Sequence, residues 1–370
     1  MNSETLEAWL QVAASYCPTT SLMALLGELG DAPGIVKARN SELAASGLNS
    51  EAITRLRKPA SGVEKLHQWL EGENTHFVPF NDERYPDLLR EIRDAPPLLY
   101  VRGNVDALKF PLLAIVGTRK PTAGGKDTAR QFAAELAKNG LGIISGMALG
   151  IDTEAHLGAL DAGGLTLAVL GTGIDRVYPA ANRDLAHRLA NEGTLISEFP
   201  LGSEPQKFNF PRRNRIISAL SLGTLVVEAA QRSGSLISAR LAAEQGRDVF
   251  AIPGSIHNPM ARGTHQLIRE GARLVESTAD IFTELAPLTQ LLRQNQLQDK
   301  ADKRSQATGS ETDGPEYQAL LEKMGFDAIS ISDLSERCGL TAAELSSMLL
   351  ILELEGVVDA LPGGRYARLK

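Results

Sequence analysis

Apolar positions recur at helical spacing through the first part of the chain, at Leu6, Trp9, Leu10 and Ala13 and again at Leu22, Leu25, Leu26 and Leu29. Asn40-Ser41 and Asn49-Ser50 read as N-caps, and Gly30, Gly34 and Gly47 as stops. The pattern predicts a small helical domain over residues 1–75, of the SAM or helix-hairpin-helix kind. Units of that kind can touch a DNA backbone, but these hairpins lack a basic loop, which favours a packing or protein-contact role. The stretch from Asn81 to Gly103 is extended and rich in proline, and ends in what reads as an edge strand, Leu98–Val101.

From Leu112 the pattern changes to short apolar runs: 112–116, 141–144, 165–170, 194–196, 224–227, 249–252 and 272–275. Between them lie amphipathic or small-residue segments such as 123–138, 150–162 and 235–244. This alternation predicts a doubly wound α/β fold with a parallel sheet over residues 76–288. Beyond Glu284 the periodicity fades, and residues 289–314, rich in Gln, Lys, Asp, Ser and Gly, read as a flexible linker. In 315–370, helices are expected at Tyr317–Met324, Ile331–Gly339 and Thr341–Glu355, closed by a hairpin turning at Pro362-Gly363-Gly364. Three helices and a β-wing describe a winged helix.

Composition narrows the functional classes. A chain of 370 residues with 43% hydrophobic and 22% charged residues is a soluble globular type with room for more than one core. No apolar run spans a bilayer and no signal-like start is present, so a cytoplasmic, membrane-free protein is expected. The two cysteines, Cys17 and Cys338, support neither a disulfide framework nor a Cys-based metal site. Net charge is -7, yet Lys207, Arg212, Arg213, Arg215, Arg232, Arg240 and Arg247 oppose only Glu228 and Glu244 between 207 and 247. That local surplus within an acidic chain points to an anionic ligand.

The candidate chemistry centres on Lys207-Phe208-Asn209-Phe210-Pro211-Arg212-Arg213-Asn214-Arg215, where four cations and two aromatic rings adjoin the apolar run 216–222. Cations beside exposed rings suit single-stranded nucleic acid; the competing reading is a solvated loop whose phenylalanines enter the core. Four apolar runs end in small residues ahead of a helix: Gly117-Thr118-Arg119, Ser145-Gly146, Gly171-Thr172-Gly173 and Ser233-Gly234-Ser235. Glycine lets backbone amides approach an oxyanion, and such loops gather at the carboxyl edge of a parallel sheet. Gly171-Thr172-Gly173 is not a dinucleotide fingerprint, because Arg176 stands at the third glycine position. Asp152 and His156, four apart, lack further ligands at metal spacing, and a hydrogen bond between them is expected. No nucleophilic triad, Walker lysine loop or zinc motif is visible; neither catalytic residues, a metal nor a cofactor are expected.

These motifs together resemble the DNA-processing protein A (DprA, or Smf) family, bacterial single-stranded-DNA-binding mediators of natural transformation. The resemblance rests on Ile115–Arg119, Ser145–Asp152 with His156, Gly171–Gly173 with Tyr178-Pro179 and Asn182, Ser197-Glu198, Phe210–Ser218, Glu228 to Leu236, and Ile252-Pro253-Gly254. It covers about 85–285; Thr118 stands where the family commonly has serine. It implies an extended Rossmann domain that dimerises, binds single-stranded DNA, displaces the single-strand-binding protein and hands the strand to the RecA recombinase. It also implies that Arg119 and Lys207 hold phosphates and that Phe210 offers its ring to a base. Arg212, Asn214 and Arg215 follow in the same motif, as contacts or as pins between loop and sheet. Gly117, Thr118, Ser145, Gly146, Gly234 and Ser235 complete the expected binding set. The rival class is a nucleotide-processing enzyme of the lysine-decarboxylase-like Rossmann group, which Gly223-Thr224…Glu228 loosely resembles without that group's glycine run. A third reading is a winged-helix transcription factor with an α/β sensor domain.

Overall fold

The computed structural model describes residues 1–286, 315–325, 327–354, 356–361 and 365–369. The expected linker 289–314 and the turn 362–364 lie outside them. Met1–Leu285 forms one compact unit and Ala286–Lys370 a second.

The first unit opens with six helices: α1 (Ser3–Ser15), α2 (Thr19–Leu29), α3 (Ala32–Lys37), α4 (Asn40–Ala45), α5 (Ser50–Leu56) and α6 (Val63–Leu70). Asn49 caps α5 as expected, accepting from the Ala52 amide at 2.8 Å. Asn40 instead lies inside α4, whose entry is held by Glu42 reaching back to the Arg39 amide at 2.7 Å. The apolar stripes bury Leu6, Trp9, Leu22, Leu25, Leu43 and Leu56 in a core continuous with that of the sheet. The Thr19 hydroxyl, accepting from the Ala95 amide at 2.8 Å, ties α2 to the proline-rich connection.

A nine-stranded sheet follows: β1 (Thr75–Pro79), β2 (Leu98–Gly103), β3 (Leu112–Val116), β4 (Gly142–Ser145), β5 (Thr166–Val169), β6 (Thr194–Ser197), β7 (Gly223–Val226), β8 (Asp248–Ala251) and β9 (Arg273–Leu274). Its order is β1-β2-β6-β5-β4-β3-β7-β8-β9. Strands β3 to β9 are parallel to one another, whereas β2 pairs antiparallel with both β6 and β1. The expected edge strand is therefore internal: Thr75–Pro79 adds a further strand outside it, and the prolines lie in the approach to β2 rather than within it.

The crossovers include α7 (Asp87–Arg90), α8 (Ala123–Lys138), α9 (Ile151–Asp161), α10 (Arg183–Glu192), α11 (Asn209–Ala219), α12 (Gly234–Glu244) and α13 (Arg262–Arg269). They leave β3, β4, β5 and β7 buried along their whole length, as strands covered on both faces must be. Strand order reverses between β3 and β7, and ligands of open α/β sheets sit beside such a switch point, at the carboxyl ends of the strands.

In the second unit, Pro315–Met324, Ile331–Cys338 and Ala342–Leu354 pack beneath a three-stranded sheet. Ser330 caps the second helix, accepting from the Asp333 amide at 3.2 Å. Thr341 and Glu344 form a reciprocal capping box at the third. Leu320, Leu334, Leu345, Leu349 and Leu352 form the core. This is the expected winged helix.

Candidate nucleic-acid interface

The loops after β3, β4 and β5 meet the start of α11 around a cavity of about 60 Å³, lined by Arg119, Gly146, Ala148, Leu149, Tyr178, Pro179, Phe210 and Arg213. Phe210 is the centre of the group. The Arg119 guanidinium lies 5.7 Å from its ring centroid, and Tyr178 packs against it at 5.4 Å with the planes tilted by 37°. Gly171 makes room for the ring, since a Cβ there would stand 2.8 Å from Phe210 Cδ1. Arg119, Lys120 and Lys207 are exposed and make no ion pair among the described residues. Positive charge thus borders an aromatic, partly apolar depression, with Leu149 and Tyr178 43% and 42% exposed.

The reason this geometry arises is that α11 begins at Asn209, inside the basic motif. Pro211 sits in the first turn, where a missing N–H costs nothing, and Asn209 fastens the entry by donating from Nδ2 to the Gly171 carbonyl at 3.1 Å. Successive residues then point about 100° apart, and the cations part company. Arg213 turns inward: its Nη1 donates to the carbonyls of Gly146, at 2.7 Å, and Val169, and its Nε donates to Asn214 Oδ1 at 3.1 Å. Burial pulls its pKa down to about 10, so it stays charged at neutral pH.

Arg215 faces the other way, pairing with Glu198 at 2.7 Å and Asp94 at 2.8 Å. Arg212 bridges Glu198 at 3.1 Å and lies over the rings of Tyr16 and Phe199. Both line a different cavity, of about 980 Å³, between the end of α1, the 91–97 connection and helices α11 and α12. The expected set is therefore divided: Arg119, Gly146 and Phe210 share one cavity, Lys207 lies three residues ahead of Phe210, and Asn214 supports Arg213. Gly234 lines a third cavity of about 860 Å³ beside α12.

The loop amides are largely committed within the protein. The Thr118 amide donates to the Glu228 carbonyl at 2.7 Å. Those of Gly146 and Ala148 donate to Asp152 Oδ2 at 3.1 and 3.3 Å, and that of Ser235 to the Ser233 hydroxyl at 3.3 Å. Ser145 donates its hydroxyl to the Ile115 carbonyl at 2.6 Å. Two glycines are likewise explained by side chains: a Cβ at Gly117 would meet Ile151, and one at Gly146 the Arg213 guanidinium. What the rim offers outward is chiefly cationic and aromatic side chains. Tyr178 and Arg213, both outside the expected set, are the additions; the aromatic-proline pair beside a glycine-rich loop was the available signal for Tyr178.

The expected Asp152–His156 hydrogen bond does not form. Asp152 is taken by the loop amides, and burial raises its pKa. His156 Nδ1 instead lies 2.7 Å from the Thr166 hydroxyl on β5, and its Nε2 has no partner among the described residues. Burial depresses the His156 pKa from 6.5 to about 3. The unfolded chain then takes up a proton as pH falls through 6.5 while the folded chain does not until about 3, so stability declines across that window. Urea unfolding at pH 7 and pH 5 is expected to differ by about 2 kcal/mol from this residue, a difference that His156→Gln removes.

Comparison with known proteins agrees with the fold and the motifs. The model of a family described as DNA recombination-mediator protein A matches residues 76–286. The chain belongs to that family. A second model, the DprA winged helix domain, matches 304–364. Among curated relatives, protein Smf of Escherichia coli K12 is 42% identical across 84% of this chain and 82% of its own length. The DNA processing protein DprA of Streptococcus pneumoniae is 47% identical across 63% and 84%. The X-ray structure of the pneumococcal family member aligns with a TM-score of 0.66 at 39% identity, over 77% of this chain and 98% of that one. A Helicobacter pylori family member, whose structure is described as giving insight into its single-stranded DNA binding mode, aligns with a TM-score of 0.52 at 32% identity, over 57% and 96%. Among the described residues no helix is long and apolar enough to cross a membrane.

Proposed function

We propose that this protein binds single-stranded DNA without reacting with it, at the Arg119–Tyr178–Phe210 cavity, as a mediator of DNA uptake and recombination. The observation that carries the reading is an exposed Arg119 over the ring of Phe210, with Tyr178 beside it, at the carboxyl ends of β3, β4 and β5. The single-stranded DNA binding of the Helicobacter relative supports the choice of ligand. A base stacks on Phe210 by taking the place of the Arg119 guanidinium, which swings outward to a phosphate; Lys207 holds a neighbouring one. Stacking contributes about 1–3 kcal/mol per base. Family membership further supports a homodimer that displaces the single-strand-binding protein and passes the strand to the RecA recombinase.

A nucleotide-processing role has less support, because Asp152 is already bonded to loop amides and His156 is sealed from solvent. Titration of dT oligonucleotides at several salt concentrations tests the binding reading. Arg119→Ala and Lys207→Ala are each expected to flatten the log–log salt slope by about 0.7, one phosphate's worth for a single strand. Unchanged slopes in both variants would remove the phosphate assignment.

A further inference from the structure

Arg213 is the least explained charge in the site. It is 4% exposed, and no carboxylate lies within ion-pair distance of it among the described residues; the neighbouring Asp152 acts only through space. Its Nε and Nη1 are bonded, but Nη2 has no acceptor among the described residues. Nor is Nη2 among the walled-off orphan atoms, unlike Nη1 of Arg215. Its remaining surface therefore opens on the cavity that Arg213 lines. At roughly 15 Å³ for each water, the cavity of about 60 Å³ has room for the exocyclic group of a base and the ring edge that carries it.

We infer that Arg213 makes this cavity select bases with a keto group at its floor, thymine and guanine, over the amino bases cytosine and adenine. The inference rests on the single-strand binding reading above. With the sugar and phosphates outside among Arg119 and Lys207, the atom that reaches deepest is the one farthest from the glycosidic bond. That is the substituent on C4 of a pyrimidine or on C6 of a purine. In thymine and guanine it is a carbonyl oxygen, which accepts from Nη2. In cytosine and adenine it is an amino group, which presents a donor to a cation and leaves the guanidinium hydrogen unpaired. A hydrogen bond to a charged donor is among the stronger ones, and an unmade buried bond carries its desolvation cost.

The backbone pins on Nη1 and Nε hold the fork in place, so the selection needs no rearrangement of Arg213 itself. Tyr178 and Phe210 supply the rim against which the inserted ring rests. The device adds a modest composition bias to a contact that otherwise tolerates every base.

The test uses the full-length protein at pH 7.5 and fixed salt. Competition between dT20 and dC20 is expected to favour dT20 by at least about tenfold, the lower end for one hydrogen bond to a charged group. A dT20 strand carrying 2-pyrimidinone, which lacks the 4-oxo group, should fall to the dC20 level. In Arg213→Lys the preference should shrink below twofold, with folding checked by circular dichroism; should that variant not fold, the base-analogue comparison in the wild type decides alone. Equal binding of dT20 and dC20, or a dT20 preference that survives removal of the 4-oxo group, overturns the selection. If Phe210→Ala still weakens binding to every strand in that event, the binding reading stands and only the selection is lost. If Phe210→Ala alters nothing, both are lost.

Discussion

Phe210→Ala is expected to lower affinity for every homopolymer by between about fivefold and about 150-fold, the factors that correspond to 1–3 kcal/mol of stacking. The ring is the one group that Arg119, Tyr178 and the Gly171 clearance all address. Removing it takes away the base platform and, with it, the anchor that keeps Arg119 at the cavity mouth. Fluorescence anisotropy with labelled dT20, at the salt concentration of the wild-type measurement, reads the loss. An affinity within twofold of wild type would show that bases are not seated on this ring. The salt slope separates the roles, because Phe210 neutralises no phosphate: its removal should shift the log–log line downward with little change of slope, whereas Arg119→Ala changes the slope itself.

The sheet was legible in the sequence because buried parallel strands leave a strong mark. Leu112–Val116 and helix Ala123–Lys138 coincide with their expected limits, the latter because Thr122 caps its first turn, accepting from the Gly125 amide at 3.0 Å. Thr75–Pro79 went unread as a strand: five residues with a polar start and a terminal proline give little alternation. The site was legible in content and less so in arrangement. Four cations within nine residues look like one patch on paper. A helix starting at Asn209 instead sends Arg213 inward and Arg215, two residues or about 200° later, to Glu198 and Asp94. Pro211 was the local hint of a helix start, but the entry itself is fixed by Asn209 reaching a carbonyl on a distant loop.

The same limit applies to Asp152 and His156, where spacing along one helix was a poor guide. Amides of the preceding loop and a hydroxyl on β5 were the nearer partners. The glycine-rich loops show it most clearly. From sequence, Gly146 and Gly234 play the same part, easing the approach of a backbone to an anion. In the fold one is crowded by a buried cation and the other is not, a distinction that depends on which side chain crosses over each loop.

That distinction yields the second large effect. Gly146→Ala is expected to destabilise the protein by about 3–5 kcal/mol, the range for depriving a buried charge of its partners. The new Cβ would stand 2.3 Å from Arg213 Nη1 and 2.5 Å from Cζ and Nη2, so the guanidinium must move. It cannot do so cheaply, because the same group holds the Gly146 and Val169 carbonyls and, among the described residues, no carboxylate is within ion-pair distance of it. Gly234→Ala is the matched control: nothing lies within 4 Å of its Cβ position, and a surface change of that kind stays within about 0.5 kcal/mol. Urea unfolding of the two variants beside the wild type measures both. Equal stabilities for Gly146→Ala and Gly234→Ala would mean that Arg213 can leave its carbonyls freely. A cation so loosely held could not serve as the fixed floor of a base pocket, so this comparison bears on recognition as well as on stability.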